Sequence, residues 1–498
     1  MSGLDISLAL PGVIDLCLKY GKVIITAYRD FNHAEEGIEE RRISVDAAWA
    51  KTSEQLAFLR RVWDNLDENY RALQGRILRN FQKKLEEAVI RISDIDRSVG
   101  KSAKFEAGKY ALKKQSLDKA IQDLQNSQHD FDTTWYLVLL MADRFVDDGL
   151  VRRAGTEKLS TARHVRDSLN LQPGREGSVF LPGDKLRSAK RSDIPHATSQ
   201  IVEIPGVGTV IIDSADCSSR DDAHVFAKDV RTLATRLRQV DDNSFHLLKC
   251  YRVARMTELQ TERLLSFDFM FYFPKGCSRP QSLRSHLLSQ ANHSLGDRIK
   301  LAQQLAAAVN YIHILDFVHK NIRPETILIF ESDGNTLGPL YLLGFRAFRL
   351  ADNKTLRLGN SVWSENIYQH PDRQGIHPST DYVMQHDIYS LGVCLLEIGL
   401  WGSLVSSKGY AGTLLTESGT SNMVQGTALK DHYTTLAKEQ LPSRMGARYT
   451  AVVVNCLSCM DGTNEDFGDK REFEDDDGIL IGVKYIEKII LLLSEITV

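Results

Sequence analysis

Between Val318 and Leu328 the chain reads VHKNIRPETIL, which sets His319, Lys320, Asn321, Arg323 and Thr326 within eight positions. Spacing of this kind serves phosphoryl transfer when a carboxylate stands at 321, a cation at 323 and an amide at 326. The carboxylate takes the proton of the attacking hydroxyl, the cation meets the phosphate, and the amide oxygen ligates magnesium. Here the cation is kept as Arg323. Asn321 has no basic oxygen, and the Thr326 hydroxyl is a poor substitute for an amide ligand. After the apolar run Tyr341-Leu342-Leu343 come Gly344, Phe345 and Arg346, none of which can ligate magnesium through its side chain. The frame for the chemistry is present and its acid–base and metal-binding groups are not. No catalytic residue, metal or cofactor is assigned.

The elements that must position this loop are legible on either side. Leu295 to Asp316 carries Ile299, Ala302, Leu305, Val309 and Ile312 at helical spacing. Ser294 followed by Asp297 reads as its capping box. Downstream come His370-Pro371-Asp372 and then Asp387-Ile388-Tyr389-Ser390-Leu391-Gly392-Val393, running to Leu396-Glu397. In this order the landmarks resemble the large lobe of a protein kinase: catalytic loop, Asp-Phe-Gly, a shifted Ala-Pro-Glu, and the helix after the activation segment. The resemblance implies that His319 and Phe345 are packing groups. It also implies that Asp387 is a structural anchor, holding the catalytic-loop backbone by hydrogen bonds.

The small lobe is less plainly marked. Ile201–Ile204 and Val210–Asp213 read as strands joined by the turn Pro205-Gly206-Val207-Gly208. The Gly-Val-Gly could cradle phosphate, but it stands close to a helix expected over Asp222–Val240, which favours a simple turn. Val210 to Ser214 then becomes the third strand of the lobe, with Ser214 where a kinase carries its phosphate-binding lysine. Phe245–Cys250 and Leu264–Phe273 are expected as the fourth and fifth strands, Pro274 as the start of the hinge and Ser282–Leu288 as the short helix after it.

Length and composition fit more than one domain. The chain has 498 residues, a formal net charge of −3 and seven scattered cysteines. That charge leaves no nucleic-acid footprint, and the cysteines fit a reducing, cytoplasmic setting. Cys456-x-x-Cys459 has no second pair and lies in an apolar run, so a buried helix is expected there rather than zinc. Residues 1–150 read as long amphipathic helices over Ala47–Trp63, Ala72–Ile95, Leu112–Leu124 and Trp135–Val146, an antiparallel bundle. Residues 151–192 read as a basic linker and 193–498 as the kinase-like domain. The fold class is therefore multidomain, α and α+β, with a helical bundle followed by a two-lobed protein kinase-like fold.

The first helix is strongly apolar, with Leu10, Ile14, Cys17, Ile24 and Tyr28 at helical spacing and Lys19 and Lys22 interrupting it. It falls short of the roughly 20 residues that span a bilayer, and no basic segment precedes it as in a secretory leader. Either it simply packs in the bundle, or it is released to enter a membrane surface, with Lys19, Lys22 and the basic linker at lipid headgroups. The stretch from Leu4 to Gly21, Trp49, Leu56, Leu59, Trp63 and the segment Lys113–Leu124 resemble the fungal HeLo-type domain of incompatibility and prion-inhibition proteins. That resemblance implies membrane-directed cell-death activity, and the layout is similar to the mixed-lineage kinase-like executors of necroptosis.

Three function classes fit. One is a pseudokinase that controls a membrane-active bundle, with protein partners on the kinase-like domain, anionic lipids on the bundle, homo-oligomerisation and plasma-membrane recruitment on activation. The second is a scaffold that only binds proteins. The third is an atypical kinase in which Lys320, Arg323, Asp213 or Asp372 replaces the missing groups.

Overall fold

The computed structural model describes residues 10–32, 39–97, 114–125, scattered positions between 128 and 166, then 179–217, 223–261, 263–289, 291–332, 337–350, 362–375, 378–405, 426–468 and 479–496. The linker cations Arg152, Arg153, Lys158 and Arg175 lie outside these. Two compact units divide the chain, Met1–Arg166 with Asp475–Val483, and Asp167–Glu474 with Lys484–Val498.

The first unit is helical, with α1 over Leu10–Asn32, α2 over Glu39–Val62 and α3 over Glu68–Arg97. Contacts of α1 with α2 run in opposite sequence directions: Arg60 with Asp15 at 3.0 Å, Trp49 over Gly21, and Arg29 with Asp46 at 2.8 Å. The turn into α3 reverses the chain again, and Asp67 Oδ1 accepts the Asn69 and Tyr70 amides there. Beyond it, Arg91 meets Asp123 and the Tyr70 hydroxyl donates to the Trp135 carbonyl. Successive helices are therefore antiparallel. Leu10, Ile14, Cys17, Ile24, Ile25 and Tyr28 form the buried face of α1, while Lys19 and Lys22 are exposed. Two glycines let α1 seat deeply. A Cβ on Gly21 would fall 1.9 Å from the Trp49 ring, and one on Gly75 would fall 2.8 Å from Leu10.

The second unit opens with a six-stranded sheet in the order β1-β5-β6-β4-β3-β2. Its strands are β1 (Phe180–Pro182), β2 (Arg191–Asp193), β3 (Gln200–Ile204), β4 (Gly208–Asp216), β5 (Cys250–Thr257) and β6 (Leu264–Tyr272). The β3–β4 hairpin turns on Gly206 and Gly208, both at positive φ, where a side chain would be strained. One helix, α4 (Ala223–Leu237), packs on the sheet.

The sheet begins before residue 193, within the stretch read as a linker. Phe180–Pro182 pairs in parallel with Val253–Arg255, and Arg191–Asp193 pairs with β3. Between them, Leu186 and Ala189 cover the outer face of the sheet over Val202, Ile204, Val210, Ile212 and Met270. Arg191 reaches the buried carboxylate of Asp268 at 3.1 Å, and Arg187 bonds the Thr257 carbonyl. These cations thus serve the sheet. The expected fourth strand is also displaced. Asp242–Phe245 is a helical turn, His246 has φ +52, and the strand begins at Cys250. Phe245 stacks on Tyr311 with ring centroids 4.0 Å apart, so that apolar run fills the core below the sheet instead of joining it.

A mainly helical lobe follows. It holds β7 (Cys277–Ser282), α5 (Leu283–Leu288), α6 (Leu295–Ile314), β8 (Phe317–Val318), β9 (Ile327–Ser332), β10 (Leu340–Leu342) and β11 (Arg349–Leu350). After these come α7 (Met384–Leu400) and α8 (Gly426–Leu457), the latter broken at Gly446. The Ser294 hydroxyl accepts the Asp297 amide at 3.1 Å and starts α6, which α7 packs against. Cys456 and Cys459 are buried thiols.

Candidate functional site

The loop from His319 to Thr326 is held from below by α7. Asp387 accepts the His319 amide at 2.7 Å and the Lys320 amide at 2.9 Å, with Tyr382 Oη at 2.7 Å and His313 Nε2 at 3.2 Å completing its shell. Burial by itself pushes the Asp387 carboxyl up, but His313, His319 and the His319 amide together hold it below the usual range. These bonds fix Lys320 at φ +64, a left-handed conformation that costs a non-glycine residue about 1 kcal/mol. His319 is wholly buried and its pKa falls to about 4, chiefly by burial, so the ring is neutral. Its Nε2–H donates to the Leu343 carbonyl at 2.9 Å, and Nδ1 accepts the Asn321 amide at 3.3 Å. The ring also lies 5.1 Å from that of Phe345.

The site residues themselves are bonded to one another. Asn321 Nδ2 donates to the Gly344 carbonyl at 2.9 Å, and its Oδ1 accepts Arg323 Nε at 3.0 Å. Arg323 continues to Glu365 at 3.1 Å and to Glu325 at 3.4 Å. The Thr326 hydroxyl lies 2.9 Å from the Asn321 carbonyl and 2.8 Å from that of Arg323, which share its one proton. Arg346 is drawn away to Glu365. Asn321, Arg323 and Thr326 thus spend polar atoms on one another and on the loop backbone.

Ser214, expected at the phosphate-binding position, is exposed on the far side of the sheet. The residue that faces the loop is Asp213, whose carboxylate accepts the amides of Gly344 at 3.0 Å and Phe345 at 2.6 Å. Burial drives its pKa up to about 6 against those hydrogen bonds and Arg346. Around it the inner face of the sheet is filled. Phe269 and Phe271 lie 6.1 and 6.0 Å from Phe345, and Phe226, Phe317 and Phe348 extend the packing.

These residues do not fit a magnesium nucleotide. A Cβ on Gly344 would meet Thr326 Cγ2 at 2.3 Å, and Gly344 has φ +90, so a metal-binding carboxylate cannot be placed there without moving the loop. The group aimed at the loop from the sheet is an acid, which repels phosphate. Sequence reading named Asp213 only as one of four groups that would replace the missing ones in an atypical kinase, and it missed Glu365. Helical turns and loops offered no motif for Glu365, and the register on β4 was ambiguous because both faces of the sheet are covered.

Arg284 of α5 is also buried near the loop. It bonds Glu325 at 2.9 Å, Glu397 at 3.0 Å, and the hydroxyls of Tyr368 and Ser403. Elsewhere, Leu10, Ile14, Ile24 and Tyr28 are brought together in the helical unit, and Lys19 and Lys22 lie on the opposite, exposed side of α1. Among the described residues no helix is long and apolar enough to cross a membrane.

Comparison with known proteins finds no matching family model. The mitosis inhibitor protein kinase mik1 of Schizosaccharomyces pombe is 33% identical to this chain over 98 residues. That match covers 20% of this chain and 15% of that kinase. It supports a kinase-like region in this chain.

Proposed function

We propose that this chain is a signalling protein whose kinase-like domain transfers no phosphate and acts by binding partners and controlling the helical unit. The observation that carries this reading is the closed polar cluster of Asn321, Gly344, Thr326 and Asp213, in which the base and metal positions are replaced and mutually bonded. Phosphoryl transfer depends on positioning and charge neutralisation, and this cluster offers an acid and an amide where those are needed. Incubation with magnesium and ATP is expected to give neither autophosphorylation nor transfer to general protein substrates. Magnesium-dependent autophosphorylation that disappears in Asn321→Ala would overturn the reading.

The output is assigned to α1. Its buried apolar face and exposed lysines form an amphipathic helix suited to a membrane surface once freed. The HeLo resemblance gives that output its setting, regulated cell death or incompatibility in fungi. Release into water would expose six apolar side chains at about 1.5–3 kcal/mol each, on the order of 10 kcal/mol in all. Release therefore has to be coupled to lipid, to a partner or to a second copy. Full-length protein should leave anionic vesicles intact, and a variant with α1 loosened should leak dye from them. If loosened α1 never produces leakage, a protein-binding scaffold is the better reading.

A further inference from the structure

The turn Ile194–Ser199 joins β2 to β3, and it is the first hairpin of the small lobe. A hairpin that covers nucleotide phosphates relies on glycines, so that the backbone can approach them closely. This turn contains no glycine, and Pro195 has no amide to offer. The Ala197 amide is spent on the Ile194 carbonyl at 3.0 Å. The Thr198 amide donates to the main-chain carbonyl of Glu325, in the large lobe, at 3.0 Å. On the other side of the turn the Pro195 carbonyl accepts two hydroxyls, Ser282 Oγ at 2.8 Å and Ser285 Oγ at 2.7 Å. Ile194 and Ser199 are buried at its two ends, and His196 between them is held at φ +54. Glu325 is itself fixed, since its carboxylate binds Arg284 of α5 and Arg323 of the loop.

We propose that Ile194–Ser199 is an intramolecular latch, which ties the small lobe to Glu325 and to the start of α5 and holds the cleft shut. Release of this latch, in place of nucleotide occupancy, is then the conformational variable through which the kinase-like domain signals. This deepens the reading above by naming the element that moves.

Hydrogen exchange on the full chain tests it at the Thr198 amide, whose protection requires the latch to be closed. In the parent that amide should exchange at least about tenfold more slowly than in an unstructured peptide. Ser285→Ala leaves the Ser282 cap of α5 in place and should speed exchange about fivefold, the size of one net hydrogen bond. Ser282→Ala with Ser285→Ala should speed it further, while β4 amides stay protected. Parent exchange at the free-peptide rate would overturn the latch, and so would variants that exchange like the parent. Should the double variant fail to fold, the parent and Ser285→Ala decide the matter. Phosphate transfer by the parent would remove the pseudokinase reading and leave the measured protection standing, so the two fail separately.

Discussion

Asp213 and Asp387 are both fully buried carboxylates, yet their environments pull in opposite directions. Asp387 is held below the usual range, so it adds stability above the unfolded value that is lost as pH falls through its folded pKa. Asp213 is raised from 3.8 to about 6, so its ionised form costs stability above pH 6, and that cost fades as pH falls toward 4. At 1.36 kcal/mol per unit the full cost is roughly 3 kcal/mol. Asp213→Asn keeps an oxygen for the Gly344 and Phe345 amides, and it should raise unfolding stability at pH 8 by up to about that amount, with no gain near pH 4. Urea titrations at both pH values measure this. Asp387→Ala strands the His319 and Lys320 amides and should cost about 1–3 kcal/mol for each. Gly344→Asp should also destabilise, and should restore no magnesium affinity, because its side chain meets Thr326. Asp387 was legible in the sequence from its place in an ordered run of landmarks. Asp213 was named only as one of several replacement groups, and its inward face was not legible, because Val210 to Asp213 is buried throughout and alternation of apolar and polar residues then carries no register.

At the scale of elements, close approach of α1 and α2 depends on the absence of a side chain at Gly21. Gly21→Ala should destabilise the helical unit by about 1–3 kcal/mol, as overpacking does. In a Trp49→Ala background the same change should cost little, since the obstructing ring is gone. Thermal unfolding of the four proteins completes that cycle, and Gly21→Ala is also the loosened variant for the vesicle assay. Long helices such as α1, α3 and α6 were legible because their apolar period persists over several turns. Short apolar runs were not. Phe245–Cys250 has the composition of a strand, but its burial comes from Tyr311 stacking and a reversed turn at His246, which only the tertiary structure supplies. The basic stretch before residue 193 misled for a related reason. Arg187 and Arg191 look solvated by composition, and their partners lie about seventy residues further along the chain.

For the whole molecule the feature with most reach is the return of Asp475–Val483 to the helical unit, where a Cβ on Gly482 would lie 2.8 Å from Leu137. The first unit is discontinuous in sequence, so a fragment ending near residue 166 lacks a piece of its own structure. The chain passes between the two units three times, after residues 166, 474 and 483. A single protease site engineered between residues 167 and 178 should leave the two products co-eluting on gel filtration, because Asp475–Val483 of the second product packs in the helical unit of the first. Gly482→Val, which crowds Leu137, should loosen this returning segment from the helical unit and let the two cleavage products separate on the same column.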